Sequence, residues 1–189
     1  MIPTAVRELA KLLQSIPGVG EKTAMRYALH LVTNPNTMHL GEALVGLPLS
    51  VRTCETCRAL VDNDGCPFCK RDSKVLCVVH RFVDLLSVER AAAGMRFFVL
   101  GKLISPLEGV HSEDLPMDAL HGQVALAEEV VLAMPASVDG EATALFLARH
   151  LAEKVVSRLA RGLPHGGDLE FADPITMRGA FDARTRVTP

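Results

Sequence analysis

Residues 54–69 read CETCRALVDNDGCPFC, which places four cysteines in the spacing C-x2-C-x8-C-x2-C. Each C-x2-C pair can offer two thiolates to one metal, and four thiolates in a tetrahedral array suit zinc. The eight-residue spacer, residues 58–65, is too short and too polar to bury a core, so metal binding would supply the free energy that folds it. We therefore predict one structural zinc ion per chain, held by Cys54, Cys57, Cys66 and Cys69.

Two disulfides, or a redox-active C-x-x-C pair, are the alternatives for these cysteines. The N-terminus, MIPT, has neither the basic stretch nor the apolar stretch of a secretory signal peptide. We therefore expect a cytoplasmic protein whose thiols stay reduced, which argues against disulfides. No apolar run approaches the roughly 18 residues of a membrane span. The fifth cysteine, Cys77, lies in the apolar run VLCVV and is predicted to be a buried, unreactive thiol.

The net charge of the 189-residue chain is −2, so the overall charge does not point to nucleic acid. The distribution of charge along the chain is more informative. Residues 1–52 contain five Lys/Arg and three Asp/Glu, a balance of +2, whereas residues 74–155 contain seven and eleven, a balance of −4. If the protein binds a polyanion, the N-terminal segment is the better candidate.

The first fifty residues have the apolar spacing of helices. The first helix is predicted to carry apolar residues from Val6 to Ile16 and to stop at Pro17. A second helix is predicted over residues 21–33, and a third, short helix is predicted to be capped by Thr37. The second helix would turn one apolar face inward, formed by Ala24, Tyr27, Ala28 and Leu31.

From residue 74 onward the pattern changes to short, nearly continuous apolar runs, which are typical of parallel strands buried on both faces. These runs are residues 75–79, 97–100, 130–134 and 155–159. Helical stretches are predicted between and after them, over residues 82–93, 117–127, 141–153 and 175–184. The alternation of strands and helices predicts right-handed βαβ units and an α/β fold with an open parallel sheet.

The turn between the first two helices, residues 16–23, reads IPGVGEKT. Gly18 and Gly20 permit positive φ and leave the backbone N–H groups at the start of the second helix free to bind an anion. Lys22, Arg26 and His30 follow at i, i+4 and i+8, as one stripe that suits a DNA phosphate backbone or is simply a solvated basic face. A nucleotide-binding P-loop is excluded, because that motif needs glycine where Glu21 precedes the lysine.

Polar residues follow the predicted strands at the end of the sheet where open α/β folds place function. Asp139 and Glu141 come after the third strand, and two carboxylates at this spacing suit Mg²⁺. The alternative is that they stabilise the first turn of the helix that follows. His80 and Arg81 come directly after the first strand.

Several motifs in fixed order make the chain similar to the bacterial RecR family of recombination mediators over nearly its whole length. These are the four-cysteine pattern, LQSIPGVGEKTAMR at residues 13–26, LISPLEG at 103–109, DGEAT at 139–143 and RGLPHGGDLEFAD at 161–173. The resemblance implies a Toprim sheet domain between DNA-binding and assembly segments. The implied segments are a helix–hairpin–helix DNA-binding module at 1–52, a four-cysteine zinc finger at 53–73, the Toprim domain at 74–161 and a C-terminal assembly segment at 162–189.

The resemblance also implies a function without enzymatic activity. RecR-like proteins form rings, commonly tetramers, that can encircle DNA. With RecO, and in some settings RecF, they help RecA replace single-strand-binding protein on single-stranded gaps. We accordingly expect single- and double-stranded DNA, RecO-like and RecF-like proteins and further copies of the same chain as partners. By position, Lys22 and Arg26 are the expected DNA contacts.

One departure from the Toprim pattern bears on catalysis. Toprim domains usually carry a glutamate directly after the first strand, where this chain has His80. Histidine in place of glutamate removes a hard oxygen ligand and favours softer metals, which disfavours a Mg²⁺ site. The same change alters a surface where partner proteins can bind in the family, so the family's partner contacts there are not assigned to this chain. A Toprim-type metal-dependent nuclease or primase fragment, using Asp139 and Glu141, is the competing prediction, and a zinc-stapled scaffold that never touches DNA is a third.

Overall fold

The computed structural model describes residues 2–160 and 162–186. Arg161, where the predicted Toprim domain ends, lies outside the described residues, as do Met1 and residues 187–189 at the ends of the first and last predicted segments. The chain divides into two compact units, Met1–Arg52 and Thr53–Pro189. Each unit has a hydrophobic core of its own.

The N-terminal unit contains helices α1 (Thr4–Leu13), α2 (Glu21–Thr33) and α3 (Thr37–Ser50). The bounds predicted for α2 are confirmed, whereas α1 ends before Ile16, because the chain leaves the helix in tight turns that bond Ser15 to Leu12 and Ile16 to Leu13. Small side chains let α1 and α2 approach closely, around a core of Val6, Ala10, Ala24 and Ala28. Tyr27, which was predicted on this buried face, is instead 44% exposed.

Helix α3 differs from the short helix that the sequence predicted. It runs for 14 residues, its N-cap position is Asn36, and the Thr37 hydroxyl donates to the Leu31 carbonyl oxygen at 2.5 Å instead of capping. No residue of α3 is buried. Its large apolar side chains are exposed, namely Met38, Leu40, Leu44, Val45, Leu47 and Leu49.

The second unit is built on a parallel sheet of four strands in the order β4-β3-β5-β6. Its strands are β3 (Val75–Val79), β4 (Arg96–Val99), β5 (Glu129–Ala133) and β6 (Val155–Arg158). All three neighbouring pairs are parallel, which confirms the predicted α/β fold with a parallel sheet. Before it in the chain, β1 (Val51–Thr53), which spans the boundary between the units, and β2 (Leu60–Asp62) form a small two-stranded sheet. Continuous apolar runs mark β3 and β4 because both strands are almost entirely buried.

The remaining helices are α4 (Phe82–Ala91), α5 (Met117–Val124), α6 (Val138–His150) and α7 (Pro174–Asp182). Helix α6 begins three residues before the predicted position, because the Ser137 hydroxyl caps it by accepting the Gly140 N–H at 3.1 Å. Asp139 and Glu141 therefore lie in its first turn, which is the alternative that the sequence left open. Asp173 caps α7 in the same way. Among the described residues, no helix has the length and hydropathy to cross a membrane.

Candidate metal centre and nucleic-acid interface

The four predicted ligands come together in one buried cluster. Their Sγ atoms all lie within 4.8 Å of one another. Cys54 and Cys69 are 3.8 Å apart at sulfur, and Cys57 and Cys66 are 3.4 Å apart. A tetrahedral metal with bonds of about 2.3 Å would separate its sulfur ligands by about 3.8 Å. All five cysteines are free thiols, so the disulfide alternative is wrong and the donor set fits zinc.

Burying four negatively charged thiolates in one cluster costs free energy unless a cation compensates their charge. Burial raises the pKa of the Cys57 thiol and raises the pKa of Cys69 to about 12. At Cys54 burial also raises the pKa, but hydrogen bonds from the backbone of Cys57 and Thr56 outweigh it and lower the pKa to about 7. A bound divalent cation would favour the thiolate at each position and supply the bonds that tie the two cysteine pairs together.

Local backbone geometry forms the first cysteine pair into a knuckle. The Arg58 N–H donates to the Cys54 carbonyl oxygen and the Cys54 N–H donates to the Ala59 carbonyl oxygen, both at 2.8 Å. Arg58 accordingly takes φ 64°, which is rare outside glycine and closes the turn behind Cys57. Before the second pair, Gly65 at φ 127° makes the corresponding turn without strain.

The cysteine knuckles also cover the edge of the large sheet. Strand β4 is an edge strand, so its outward N–H groups have no neighbouring strand to bond. The Val99 N–H donates to the Cys57 carbonyl oxygen at 2.8 Å, and the Phe97 N–H donates to the Phe68 carbonyl oxygen at 3.4 Å. One acceptor belongs to each knuckle, so a segment built around the metal site occupies positions where a foreign strand would otherwise pair.

The predicted DNA-binding stripe lies on one exposed face of α2. Lys22, Arg26 and His30 are all exposed there. Gly18 takes φ 81° in the preceding turn, whereas Gly20 has ordinary extended geometry, with φ −79° and ψ 169° at the helix N-cap. Only Gly18 therefore needs the conformational freedom that the sequence predicted for both glycines. The stripe stays a prediction as a DNA contact.

Of the predicted acidic pair, Glu141 is already held by an arginine. The Arg158 Nη1 of β6 lies 3.1 Å from both carboxylate oxygens of Glu141. The Asp139 carbonyl oxygen accepts the Thr143 hydroxyl at 2.7 Å, and that hydroxyl accepts the Ile104 N–H at 2.8 Å. Glu141 therefore joins the first turn of α6 to β6, and the backbone of Asp139, through Thr143, joins it to the segment that contains Ile104.

His80 follows β3 at the end of the sheet where β5 also ends, since Val79 is in register with Ala133 of β5. Burial lowers the pKa of His80, while Asp84 opposes that shift and Arg81 reinforces it. Arg81 is paired with Asp84 at 3.3 Å. A neutral imidazole at this position lacks the hard oxygen donor that Mg²⁺ prefers.

Comparisons with known proteins match successive parts of the chain to models of one domain and one protein family. The family model described as Toprim domain matches residues 74–160. Those described as "RecR, helix-hairpin-helix" and "RecR, C-terminal" match residues 6–46 and 162–185. The Recombination protein RecR of Desulfitobacterium hafniense is 41% identical and covers 98% of this chain and 97% of its own. Those of Myxococcus xanthus and Thermus thermophilus are also 41% identical, covering 97% and 98% of this chain and 98% of each relative.

The chain belongs to the RecR family. Membership confirms the resemblance and the fold class predicted from the sequence, with helix–hairpin–helix helices, a four-cysteine cluster and a parallel Toprim sheet.

Sequence reasoning missed a clamp that joins the second knuckle to the sheet in this RecR chain. The Arg71 guanidinium makes two hydrogen bonds of 2.7 Å to the Glu89 carboxylate of α4 and one of 3.1 Å to the Met95 carbonyl oxygen. Its Nε donates to the Pro67 carbonyl oxygen at 2.9 Å. The paired Arg71 accordingly lowers the pKa of Glu89. Partners 18 residues apart leave no periodic signal, so this clamp was visible only in three dimensions.

Tight packing at Gly140 gives a prediction about the RecR motif DGEAT. A Cβ at this position would collide with the Pro135 carbonyl oxygen, so the start of α6 would have to shift. Gly140→Ala should lower the free energy of unfolding by about 1–3 kcal/mol, measured by urea denaturation. The matched control is Gly122→Ala on α5, where an added Cβ would meet no heavy atom within 4 Å apart from its chain neighbours and the backbone of its own helix, and alanine should be neutral or slightly stabilising. Equal stability of the two variants would contradict this account.

Proposed function

We propose that this RecR-family chain is a DNA repair and recombination mediator that assembles into a DNA-binding ring. With RecO-like and RecF-like proteins it would help load RecA onto single-stranded gaps, and it would catalyse no reaction itself. The observation that carries the DNA-binding part is the exposed row of Lys22, Arg26 and His30 on α2. The family resemblance supports the role of the partner proteins.

The α2 row suits phosphate contacts for two reasons. The N-terminal amides of α2 follow the turn at Gly18 and present partial positive charge to an anion. Lys22 and Arg26 lie one helical turn apart, so both can contact one phosphate backbone. A single chain makes few such contacts, but several copies in one ring would multiply them through effective concentration. A ring lumen lined by α2 would thus bind DNA although the chain carries a net charge of −2.

The test is the double variant Lys22→Ala/Arg26→Ala. It should weaken DNA binding at least roughly tenfold at low salt, about equally for all sequences, and flatten the salt dependence by about 0.9 for each phosphate that is no longer bound. Fluorescence anisotropy over a salt series measures both quantities. The matched control, Arg7→Ala/Lys11→Ala, removes the same charge from exposed positions on α1 and should have a clearly smaller effect. Unchanged affinity in the Lys22/Arg26 variant would refute the assignment.

Exposed apolar surface supports assembly into a ring. Helix α3 has no buried residue, and Phe171 and Ile175 in the C-terminal segment are 80% and 77% exposed. Helix α7 does not fill the space beside β6, since a groove of about 530 Å³ lies between the two elements and a larger one, of about 770 Å³, extends from there over the start of α6. Exposed apolar side chains that cluster within one segment mark protein–protein contacts. We infer that further copies of the chain cover it, as a tetramer.

Catalysis by the Toprim domain is the rival function, and the geometry argues against it. A metal-dependent nuclease needs carboxylates free to hold Mg²⁺, whereas Glu141 is bonded to Arg158 and His80 stands in place of the usual glutamate. Purified protein incubated with Mg²⁺ or Mn²⁺ and labelled single- and double-stranded DNA should produce no cleavage. Metal-dependent nicking that Asp139→Ala abolishes would establish the nuclease instead.

A further inference from the structure

Tyr27 stands out on α2 because an aromatic side chain there is exposed. It is the single tyrosine of a chain that has no tryptophan. Its neighbours Ala24 and Ala28 form the core between α1 and α2, but Tyr27 lies outside that core and is 44% exposed. Packing in the core between α1 and α2 therefore does not account for an aromatic residue at this position.

The ring of Tyr27 lies beside the row of cations. The Arg26 guanidinium is 5.7 Å from the ring centroid, which is a cation–π distance. His30 follows Tyr27 by three residues, so the ring borders the same exposed face. Proteins that bind single strands combine these two elements, because the cations follow the phosphate backbone while aromatic rings stack on bases.

Stacking would distinguish single-stranded from double-stranded DNA. Phosphate contacts alone give no preference for unpaired bases, whereas a stacking side chain does, because bases in a duplex are already stacked on one another and paired. We propose that Tyr27 stacks on an unpaired base, so that α2 binds single-stranded DNA in preference to duplex. This proposal rests on the proposed function of Lys22 and Arg26 as phosphate contacts. It requires the aromatic ring of Tyr27 and not its hydroxyl group.

The wild-type protein carries its own reporter for this contact. Because Tyr27 is the only tyrosine and no tryptophan is present, tyrosine emission reports on this side chain alone. Titration with oligo(dT) at low salt should quench the emission in step with binding, measured separately by anisotropy of labelled oligo(dT). A duplex of equal length should bind with little quenching.

Variants separate stacking from charge. Tyr27→Phe should keep the affinity for oligo(dT), whereas Tyr27→Leu should lose roughly tenfold for oligo(dT) and little for the duplex. The control Leu29→Ala, at another exposed apolar position of α2, should change neither affinity.

Three other outcomes would overturn the proposal, and each can be told apart from the others. If DNA binds and depends on Lys22 and Arg26 but Tyr27 emission does not change, the stacking inference is wrong and the proposed function stands. If emission changes with protein concentration and not with DNA, a second copy of the chain covers Tyr27 and the inference is wrong. If neither form of DNA binds, the proposed function fails and the inference fails with it.

Discussion

Removal of the metal from the four-cysteine site is expected to open the β4 edge of the Toprim sheet. The Cys57 and Phe68 carbonyl oxygens accept the outward N–H groups of Val99 and Phe97, and each belongs to a different knuckle. Without metal, the polar spacer between the knuckles has little to hold it. Amide hydrogen exchange at Phe97 and Val99 should accelerate at least roughly tenfold on chelation, whereas exchange at Val78, inside a central strand, should change far less.

The variant Cys57→Ser should reproduce this effect and lose the metal, measured by elemental analysis. An opened parallel edge is also a template for pairing with other chains, so the metal-free protein should aggregate more readily. The matched control is Cys77→Ala, which alters a cysteine in β3 outside the cluster and should keep one zinc per chain. Protein purified without chelator that contains no zinc, or unchanged exchange at Phe97 and Val99 after metal removal, would contradict the account.

Deletion of the C-terminal segment is expected to make the oligomer dissociate while the sheet domain stays folded. The apolar side chains of this segment are largely exposed in the single chain, namely Leu169, Phe171, Ile175 and Phe181. Their burial in an interface would stabilise the oligomer, so a chain truncated after Arg161 should have the mass of a smaller species by light scattering. Its DNA affinity should fall at least roughly tenfold, because fewer linked copies bind one strand.

Two charge variants sharpen this test. Phe171→Glu/Ile175→Glu should reduce the molar mass without changing far-UV circular dichroism, because neither side chain supports the core of its own chain. Leu107→Glu, at a fully exposed leucine outside the C-terminal segment, is the matched control and should leave the mass unchanged. Full molar mass in the truncated chain would show that the segment is dispensable for assembly.

The sequence predicted the parts of the structure that leave a local or periodic signal. The four-cysteine spacing and the apolar run at Val75–Val79 each correspond to one structural element, and both were located correctly. The sequence pattern places the start of α6 three residues too late, because it does not show that Ser137 caps the helix. Tyr27 shares the helical spacing of Ala24 and Ala28 but is exposed, because spacing along a helix does not show how closely two helices approach.

Contacts between residues distant in the chain could not be predicted from the sequence. The Arg71–Glu89 clamp and the Arg158–Glu141 pair each join elements that only the fold brings together. The covering of β4 by the knuckles likewise depends on the order of the strands in the sheet. The sequence predicted that the sheet is parallel but did not predict this order. The Arg158–Glu141 pair changes the interpretation of the acidic residues, because Glu141, a predicted Mg²⁺ ligand, is bonded to an arginine instead.

Molar mass in solution, with and without a short single-stranded oligonucleotide, tests the proposed DNA-binding ring most directly. The chain mass is 20.4 kDa, so the oligomer number follows from one light-scattering measurement. The account predicts a complex of four chains with bound DNA, and loss of the bound DNA without loss of the tetramer in Lys22→Ala/Arg26→Ala. A single chain at all concentrations, both free and with DNA, would contradict it.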